Sequence, residues 1–482
     1  MKKIFVLAAV LALAGGVAYA NFCARDYVPA ATLLVPYAVV DLDASGAPTD
    51  NGYTTLLGIT NVSSTRQLIH VTVWDAQSNH VIDFDEVLSG YDVWTINFRD
   101  MLRGNFGLFD TGDSTKPAKD DGSGPKPPGM PQIGDFWVGP TGTAAVPYGP
   151  TSNTYTTALP APQDVDFTSL NSLGCNFPYG DLSSYSSTII SLLQSAIQPL
   201  DQDASACKTG SVTSPPYLAN LTANPVFFYV TVDDVSACNQ NFPDDVAYWT
   251  PTVFPTYNNV LIGDVTYLNA SANFSESVPA VSIEASNAWA SATHKGFYSR
   301  YSTANGVNDF HEPLATAFGF RYLNSGGITS NVMVWKNEDE LLYNKYGVAT
   351  TALACTPYVY YAFDENENSK ARGGGGPSGF TTAEPNVIPY ETQKVPLTVA
   401  NWNGLMANNG WMMLVFDPSI SSRSTSNVQA WVGVQYYFGT YSTALEAATL
   451  GNVWCFTNDV LPSLNTYNGS TATVLNAAPT AP

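Results

Sequence analysis

The stretch from Tyr53 to Leu102 constrains the fold more than any other part of the chain. It reads YTTLLGITNVSSTRQLIHVTVWDAQSNHVIDFDEVLSGYDVWTINFRDML. Four runs rich in Val, Ile, Thr, Phe and Trp are separated by short polar turns, and no helical period fits them. Short strands that recur about every 10 residues are typical of an antiparallel β-sandwich. The stretch therefore predicts such a sandwich.

Five strands are expected before residue 104, and the first of them carries a proline. Pro36 lacks a backbone N–H, which indicates an edge strand or a β-bulge. From Leu68 onward apolar side chains alternate with others, a period of two that places His70 and Trp74 on one face of a strand. The expected strands are Thr32–Val40, Tyr53–Asn61, Leu68–Asp75, Val81–Val87 and Asp92–Phe98.

Residues 1–20 have the pattern of a secretory signal peptide. Lys2 and Lys3 precede an apolar run, Ile4–Ala14, that is too short to span a bilayer. Ala18-Tyr19-Ala20 then supplies small residues at the positions that signal peptidase reads. An uncleaved anchor is the alternative. No later run of about 20 apolar residues follows, so no transmembrane segment is expected after signal removal. We expect an exported protein, located outside the cell, on its surface or in the periplasm.

The chain is strongly acidic, with a formal net charge of −21 that becomes −23 when the two signal-peptide lysines are removed. Phosphate backbones and anionic lipids attract clustered Lys and Arg, and this sequence has no such cluster. Nucleic acids and anionic membranes are therefore poor partners. Acidic surfaces suit solubility outside the cell and the binding of divalent cations.

Six cysteines without a C-x-x-C pair indicate disulfides rather than a zinc or thioredoxin-like site. The sequence leaves the connectivity open. We expect one bridge within the middle group and one between the last two cysteines. The cysteines concerned are Cys175, Cys207 and Cys238, two of which would form the first bridge, and Cys355 and Cys455 for the second; Cys23 is the sixth cysteine.

Shifts in composition divide the chain into six segments. After the signal peptide, residues 21–103 predict an N-terminal β-sandwich, and residues 104–165 form a Pro- and Gly-rich insertion or linker. Residues 166–310 predict a middle β-rich region with a short helix at Leu182–Leu200. Residues 311–466 predict a C-terminal sandwich with a short helix or loop at Tyr441–Leu450, and residues 467–482 a disordered tail.

The C-terminal third resembles the N-terminal strands at three places in the same order. Three such matches predict a repeated module, with insertions such as the Gly-rich loop Ala371–Gly379 in the second copy. Two unrelated sandwiches of similar composition are the alternative. The matched pairs are Ile59–Asn79 with Phe320–Glu340, His80–Gly90 with Tyr358–Ser369, and Val93–Leu102 with Val395–Leu405.

One loop has the spacing of a calcium site. Oxygen-bearing Asp41, Asp43 and Ser45 alternate before Gly46, as at the start of an EF-type loop, and Asp50 follows. The twelfth position is Gly52 instead of Glu, so the usual bidentate ligand is missing. A solvated β-turn is the alternative. The pattern predicts calcium as a possible cofactor and no other.

Catalytic motifs are missing from the sequence. Any Ser-His-Asp arrangement has to draw on four scattered histidines, and His311-Glu312-Pro313 lacks the second His of a zinc-protease helix. The run Gly374–Gly379 is neither a nucleophile elbow nor a phosphate-binding loop. The histidines are His70, His80, His294 and His311. We therefore expect a protein that is not an enzyme.

Aromatic residues leave open a role in carbohydrate binding, because exposed indole rings can stack on sugars. Most of the tryptophans lie in apolar or alternating runs, which favours the core instead. The candidates are Trp94, Trp249, Trp289, Trp335, Trp402 and Trp411.

The strings TLLVPYAVVDLD, TTLLGITN, HVTVWD, LSGYDVWTINFRD and NVLIGD resemble a set of uncharacterised exported bacterial proteins with immunoglobulin-like β-sandwich modules. The resemblance covers most of the chain after the signal peptide. It implies export and a β-rich fold, and it carries over no catalytic or binding residue.

Together these observations predict a mainly β protein: two antiparallel immunoglobulin-like sandwich modules with long loop insertions and one or two short helices. The expected function is a structural or adhesive role at the cell surface or outside the cell. Its partners would be a cell-surface or extracellular polymer, or further copies of itself. A carbohydrate-binding protein or a glycoside-active enzyme that uses exposed aromatics is the alternative.

Overall fold

The fold was determined as a computed structural model. It describes residues 27–103 except 77 and 79, 225–236, 246–249, 255–285, 296–302, 309–337, 358–374, 390–402, 407–416, 429–439 and 441–451, with 194, 197, 243, 388 and 405. The signal peptide, the linker, the tail and all six cysteines lie outside these residues. Export and both disulfides therefore stay predictions, as does most of the helix at Leu182–Leu200.

The first nine strands form one sandwich, which we call module one. They are β1 Thr32–Val40, β2 Tyr53–Asn61, β3 Gln67–Asp75, β4 His80–Leu88, β5 Val93–Asn97, β6 Val226–Val235, β7 Leu261–Asn269, β8 Phe274–Pro279 and β9 Val281–Ile283. A five-stranded sheet has the order β4-β3-β6-β1-β9, and a four-stranded sheet has the order β5-β2-β7-β8. Helix α1, Phe98–Met101, follows β5, and a 3-10 turn, Val246–Trp249, lies between β6 and β7.

The next nine strands form a second sandwich, module two. They are β10 Ala317–Leu323, β11 Ile328–Lys336, β12 Tyr358–Asp364, β13 Ser369–Gly374, β14 Thr392–Pro396, β15 Asn409–Phe416, β16 Ala430–Phe438, β17 Tyr441–Glu446 and β18 Ala448–Gly451. The sheets have the orders β13-β12-β15-β10-β18 and β14-β11-β16-β17. Helix α2, Ser299–Ser302, precedes module two.

The two modules have the same topology. Adding nine to each strand number of module one turns both of its sheet orders into those of module two. The chain is thus built from two copies of one nine-stranded arrangement. Two of the three matches predicted from sequence were wrong by one strand, because they aligned β2, β3 and β4 with β10, β11 and β12, whereas the topology matches them with β11, β12 and β13. The third match, Val93–Leu102 with Val395–Leu405, aligned β5 with β14, as the topology does. Similar alternation in neighbouring strands allowed this slip.

The mainly β, antiparallel class is confirmed, and three local predictions are corrected. Strands between residues 226 and 283 complete module one instead of forming a separate middle region. The described part of the expected Gly-rich loop, Ala371–Gly374, belongs to β13 (Ser369–Gly374) on the edge of a sheet. Tyr441–Glu446, expected as a helix or loop, pairs with β16 as β17. In each case the backbone pairing with another strand, whether distant in sequence or the preceding one, outweighs the local propensity of the segment.

A β-bulge interrupts β1 at Pro36, which confirms one of the two alternatives predicted for that proline. The pairing of β1 with β6 shifts between Val35 and Ala38. β1 is an inner strand, since it also pairs with β9. The carbonyl oxygen of Pro36 accepts a hydrogen bond from Thr392 Oγ1 of module two at 2.5 Å. The bulge therefore contributes to the contact between the modules.

Aromatic side chains of module two pack on one face of the five-stranded sheet of module one. The rings of Tyr229 and Trp335 have centroids 5.9 Å apart, and those of Phe227 and Tyr390 5.7 Å. Trp431 belongs to the same continuous cluster of buried side chains. A second cluster fills module two. The modules are therefore packed together through apolar contacts.

Two strand glycines give a matched test of packing. A Cβ at Gly410 in β15 would overlap the carbonyl oxygen of Phe363 and lie 2.6 Å from Tyr322 Oη. A Cβ at Gly58 in β2 would have its nearest neighbour at 3.9 Å. We expect Gly410→Ala to lower the free energy of unfolding by about 1–3 kcal/mol, and Gly58→Ala to change it by less than about 1 kcal/mol. Denaturant unfolding measures both, and equal effects would contradict the packing described for β15.

Candidate functional site

A row of polar side chains crosses the five-stranded sheet of module one. Asp85 on β4, His70 on β3, Asp233 on β6 and Thr32 on β1 are direct cross-strand partners. Leu33, the neighbour of Thr32, lies on the other face, because a Cβ at Gly263 of the facing sheet would be 2.8 Å from Leu33 Cδ1. The polar row therefore lies on the outer face of the sheet, where solvent would be expected.

Non-strand segments cover this outer face and bury the row. Tyr248 of the 3-10 turn donates a hydrogen bond to Asp233 Oδ2 at 2.6 Å. Tyr298, just before α2, donates to both carboxylate oxygens of Asp233 at 2.9 and 3.0 Å. Tyr301 of α2 stacks on Trp74 with ring centroids 5.8 Å apart. The hydroxyl groups of the covering segments thus satisfy a carboxylate that has no access to water.

His70 is the cation of the row. Its Nδ1 lies 2.8 Å from Asp85 Oδ1, and its Nε2 lies 3.5 Å from Asp83 Oδ2. Burial by itself lowers the pKa of His70, but Asp85, Asp83 and Asp233 outweigh burial and raise the pKa to about 9. His70 is therefore a charged group held in the fold by three carboxylates.

Thr32, His311 and Asp309 have the spacing of a nucleophile, a base and an orienting acid. Thr32 Oγ1 lies 2.9 Å from His311 Nε2, and His311 Nδ1 lies 2.7 Å from Asp309 Oδ1. Thr32 Oγ1 also donates to Asp233 Oδ1 at 2.5 Å. Because a carboxylate only accepts and a hydroxyl has one proton, Thr32 uses that proton on Asp233 and does not offer it to His311. Thr32 and His311 are both fully buried, so the arrangement is a structural chain of hydrogen bonds.

A second buried polar cluster lies where the modules meet. Arg300 Nη1 lies 2.5 Å from Glu391 Oε1, and the side chains of Arg300 and Glu391 are 9% and 1% exposed. Arg300 Nη2 also donates to Ser78 Oγ at 3.0 Å and to Tyr229 Oη at 3.1 Å. Burial lowers the pKa of nearby Lys336 to about 7, although Glu391 opposes this shift. The cluster therefore connects α2 with both modules, and it reaches β11 of module two through Lys336.

Next to Arg300 is a cavity of about 10 Å³, which has room for about one water molecule. Such a volume excludes a sugar or a peptide. The lining residues are Trp74, Tyr229, Thr231, Phe297, Tyr298, Arg300, Tyr301, Trp335 and Asn337. We therefore assign the cavity to the packing between the modules.

The first half of the predicted calcium loop is a turn closed by its own carboxylate. Asp43 Oδ1 accepts hydrogen bonds from Ser45 N at 2.8 Å, Ser45 Oγ at 2.5 Å and Ala47 N at 3.0 Å. The Ser45 hydroxyl and the two backbone amides lower the pKa of Asp43. These are the bonds of the solvated turn named as the alternative, and they use one of the oxygens that calcium would need.

The other two acidic residues of the loop also have partners within the protein. Asp41 Oδ2 accepts from Tyr53 N at 2.7 Å, and Asp50 Oδ1 pairs with Arg103 at 2.7 Å. Among the described residues, no group of three or more His, Cys, Asp or Glu is placed to hold a metal ion. Calcium binding stays a prediction, and a melting temperature that does not change on addition of a chelator would end it.

The predicted tryptophans divide into buried ones and one that is exposed. Trp94, Trp249, Trp335 and Trp402 are buried, which confirms the core role expected for most of them. Trp289 lies outside the described residues. Trp411 on β15 is 37% exposed and stacks on Phe363 of β12, with centroids 3.7 Å apart and planes 3° from parallel.

Most residues of the buried polar clusters were not predicted from the sequence as site residues. Asp233 had the clearest signal, since it interrupts the apolar run VFFYVTVDDV of β6, where an acid is unexpected. Asp309 and His311 are two residues apart in the sequence, a spacing that could have suggested a hydrogen-bonded pair. Arg300 and Glu391 are far apart in the chain and meet only because the modules pack together.

Comparison with known proteins gives no relative: no family model, no curated protein and no solved structure matches the chain. In the part of the chain that the structure describes, no helix has the length and apolar character needed to cross a membrane.

Proposed function

We propose that the chain is an exported, non-enzymatic protein of the cell surface or its surroundings, with a structural or adhesive role. The burial of its acid–base groups carries the proposal. His70, His311 and Asp233 are fully buried, and each is held by partners that belong to the fold. Groups held in this way stabilise a structure and cannot reach a substrate.

The contact between the modules further supports a structural role. Arg300 on α2 pairs with Glu391 and donates to Tyr229 of module one, and Trp335 and Tyr390 pack on Tyr229 and Phe227. A shared core prevents the modules from moving independently. A protein that bears load or presents a surface benefits from this rigidity.

Expression of the full chain in a bacterial host, followed by fractionation and N-terminal sequencing, tests the proposal. We expect a mature chain that begins at Asn21 and is recovered outside the cytoplasm. An Ala20→Arg variant should keep residues 1–20, because it removes the small residue at the cleavage site. Recovery of the unprocessed wild-type chain from the cytoplasm would contradict export. A hydrolytic activity that His311→Gln abolishes without unfolding the protein would contradict the non-enzymatic role.

The carbohydrate-binding alternative can be tested at Trp411. It requires exposed aromatic rings, and of the tryptophans considered above Trp411 is the exposed one among the described residues. Binding to a glycan array that is lost in Trp411→Ser and kept in Tyr441→Ser would support it. Tyr441 is a suitable control, because it is exposed on the edge strand β17.

A further inference from the structure

The shared topology allows the same face to be compared in the two modules. In module one, the outer face of the five-stranded sheet carries Thr32, Asp233 and His70 on β1, β6 and β3. The topological counterparts of these strands are β10, β15 and β12 of module two. The row equivalent to Thr32, Asp233 and His70 is Ala317, Val415 and Val359, and it is buried as well. Four residues further along the same outer face lie Arg321, Trp411 and Phe363, at the level where module one has Tyr229 on β6 and Trp74 on β3. Trp74 and Tyr229 are buried in module one, whereas Arg321 and Trp411 are exposed in module two.

Polypeptide segments that bring aromatic rings cover the face in module one. Tyr248 lies 5.5 Å from His70 between ring centroids, and Tyr301 stacks on Trp74. Tyr248 belongs to the connection between β6 and β7, which has 25 residues, whereas the equivalent connection between β15 and β16 has 13. The connection that supplies part of the cover in module one is therefore 12 residues shorter in module two.

The face in module two has an apolar centre and a charged rim. Trp411 and Phe363 form the centre. Arg321 Nη2 reaches from β10 to Glu365 Oε1, beyond the end of β12, at 2.6 Å, and the two side chains are 62% and 51% exposed. An aromatic centre with a polar rim is the usual composition of a binding hot spot on a protein surface.

The geometry of the stack distinguishes between kinds of partner. The rings of Trp411 and Phe363 lie face to face at 3.7 Å, so each has one face occupied by the other. A sugar ring stacks flat on an open aromatic face, whereas an aromatic side chain also packs against ring edges. Module one provides the precedent, because the equivalent strands are covered there by tyrosine-bearing segments that include Tyr248 and Tyr298.

We propose that the outer face of the five-stranded sheet of module two, with Trp411 and Phe363 at its centre and Arg321 at its rim, binds an aromatic-bearing polypeptide segment of a partner protein. The proposal rests on the adhesive role proposed above and gives that role a surface and a class of partner. The partner segment would take the position that the tyrosine-bearing segments take on module one. A paired Arg and Glu at the rim favour a segment without strong net charge.

Selection from a phage-displayed library of random 12-residue peptides tests the proposal on the immobilised full chain. We expect the enriched peptides to carry Tyr, Trp or Phe. A synthetic copy of the strongest peptide should bind Trp411→Ser at least tenfold more weakly than wild type and Tyr441→Ser as tightly as wild type. Peptide binding should also protect Trp411 from hydroxyl-radical oxidation in the wild-type chain, a measurement that does not depend on how the variant folds.

Three results would overturn the proposal. The first is the absence of aromatic enrichment, or equal binding of the peptide by the wild type and by a folded Trp411→Ser variant. The second is glycan-array binding that Trp411→Ser abolishes, which would assign the face to a sugar. The third is tighter peptide binding after truncation at Gly451, which would mean that the chain's own C-terminal residues compete for the face. Failure of export in the fractionation experiment is a separate result and would instead remove the proposed function.

Discussion

Replacing Arg300 with Met is expected to lower the free energy of unfolding by about 3–5 kcal/mol, because the change leaves the Glu391 carboxylate buried without its closest cation. Arg300 and Glu391 are 2.5 Å apart and almost completely buried. Arg300 also donates to Ser78 and Tyr229, so these hydroxyl groups lose a donor as well. Denaturant unfolding of the full chain at pH 7 measures the loss.

The chain contains a suitable control for this experiment. Arg321 and Glu365 form an ion pair with nearly the same separation, 2.6 Å, but their side chains are 62% and 51% exposed. Exposed pairs contribute about 0–1 kcal/mol, so Arg321→Met should change the free energy of unfolding by no more than that. If Arg300→Met cost as little as Arg321→Met, the buried contact between the modules would be wrong as described.

The second large effect concerns pH and His70. The pKa of His70 is raised from 6.5 to about 9 in the folded protein, a difference that corresponds to about 3 kcal/mol. Because the folded pKa is higher than the unfolded one, this stabilisation is complete below pH 6.5 and is lost as the pH rises through 9. The advantage of wild type over His70→Asn in free energy of unfolding should therefore be larger at pH 6 than at pH 9.5 by about 3 kcal/mol.

Comparing the two proteins at each pH removes the contribution of other groups that titrate in the same range. Burial raises the pKa of Asp234 to about 7, and it lowers the pKa of Lys336 to about 7 and that of Lys394 to about 8. These groups contribute nearly the same pH dependence to the free energy of unfolding of wild type and of the variant. Their contributions therefore cancel when the two free energies are subtracted. A difference that stays constant from pH 6 to pH 9.5 would show that His70 is not held as a cation by Asp83, Asp85 and Asp233.

The strands of module one up to residue 103 could be predicted almost residue by residue. Alternation in β3 and the turn before Val93 are local signals, and the predicted and observed bounds differ by a residue or two. The sheet orders had no such signal, since β6 enters between β3 and β1 after more than 100 intervening residues. Sequence periodicity reports which face of a strand is apolar and does not report which strand lies beside it.

The candidate sites were harder to predict, for a related reason. The outer face of the five-stranded sheet in module one reads as a solvated surface in sequence, because Thr32, His70 and Asp233 alternate with apolar residues. Its burial depends on the 3-10 turn and on the residues around α2, which have little periodicity. The calcium motif is a different case, because Asp43 has the spacing of a ligand and its observed bonds are those of a turn, while calcium binding itself stays a prediction.

The continuous core has a consequence for how the duplicated arrangement can be inherited. Trp335, Tyr390 and Trp431 are encoded with the second copy, yet they belong to one continuous buried cluster with the first. A gene fragment that ends near residue 285 would leave the rings of Phe227 and Tyr229 facing water, and such surfaces promote aggregation. The first copy has therefore become dependent on the second: recombination could pass them on as a pair, whereas the first copy shuffled alone would expose the rings of Phe227 and Tyr229.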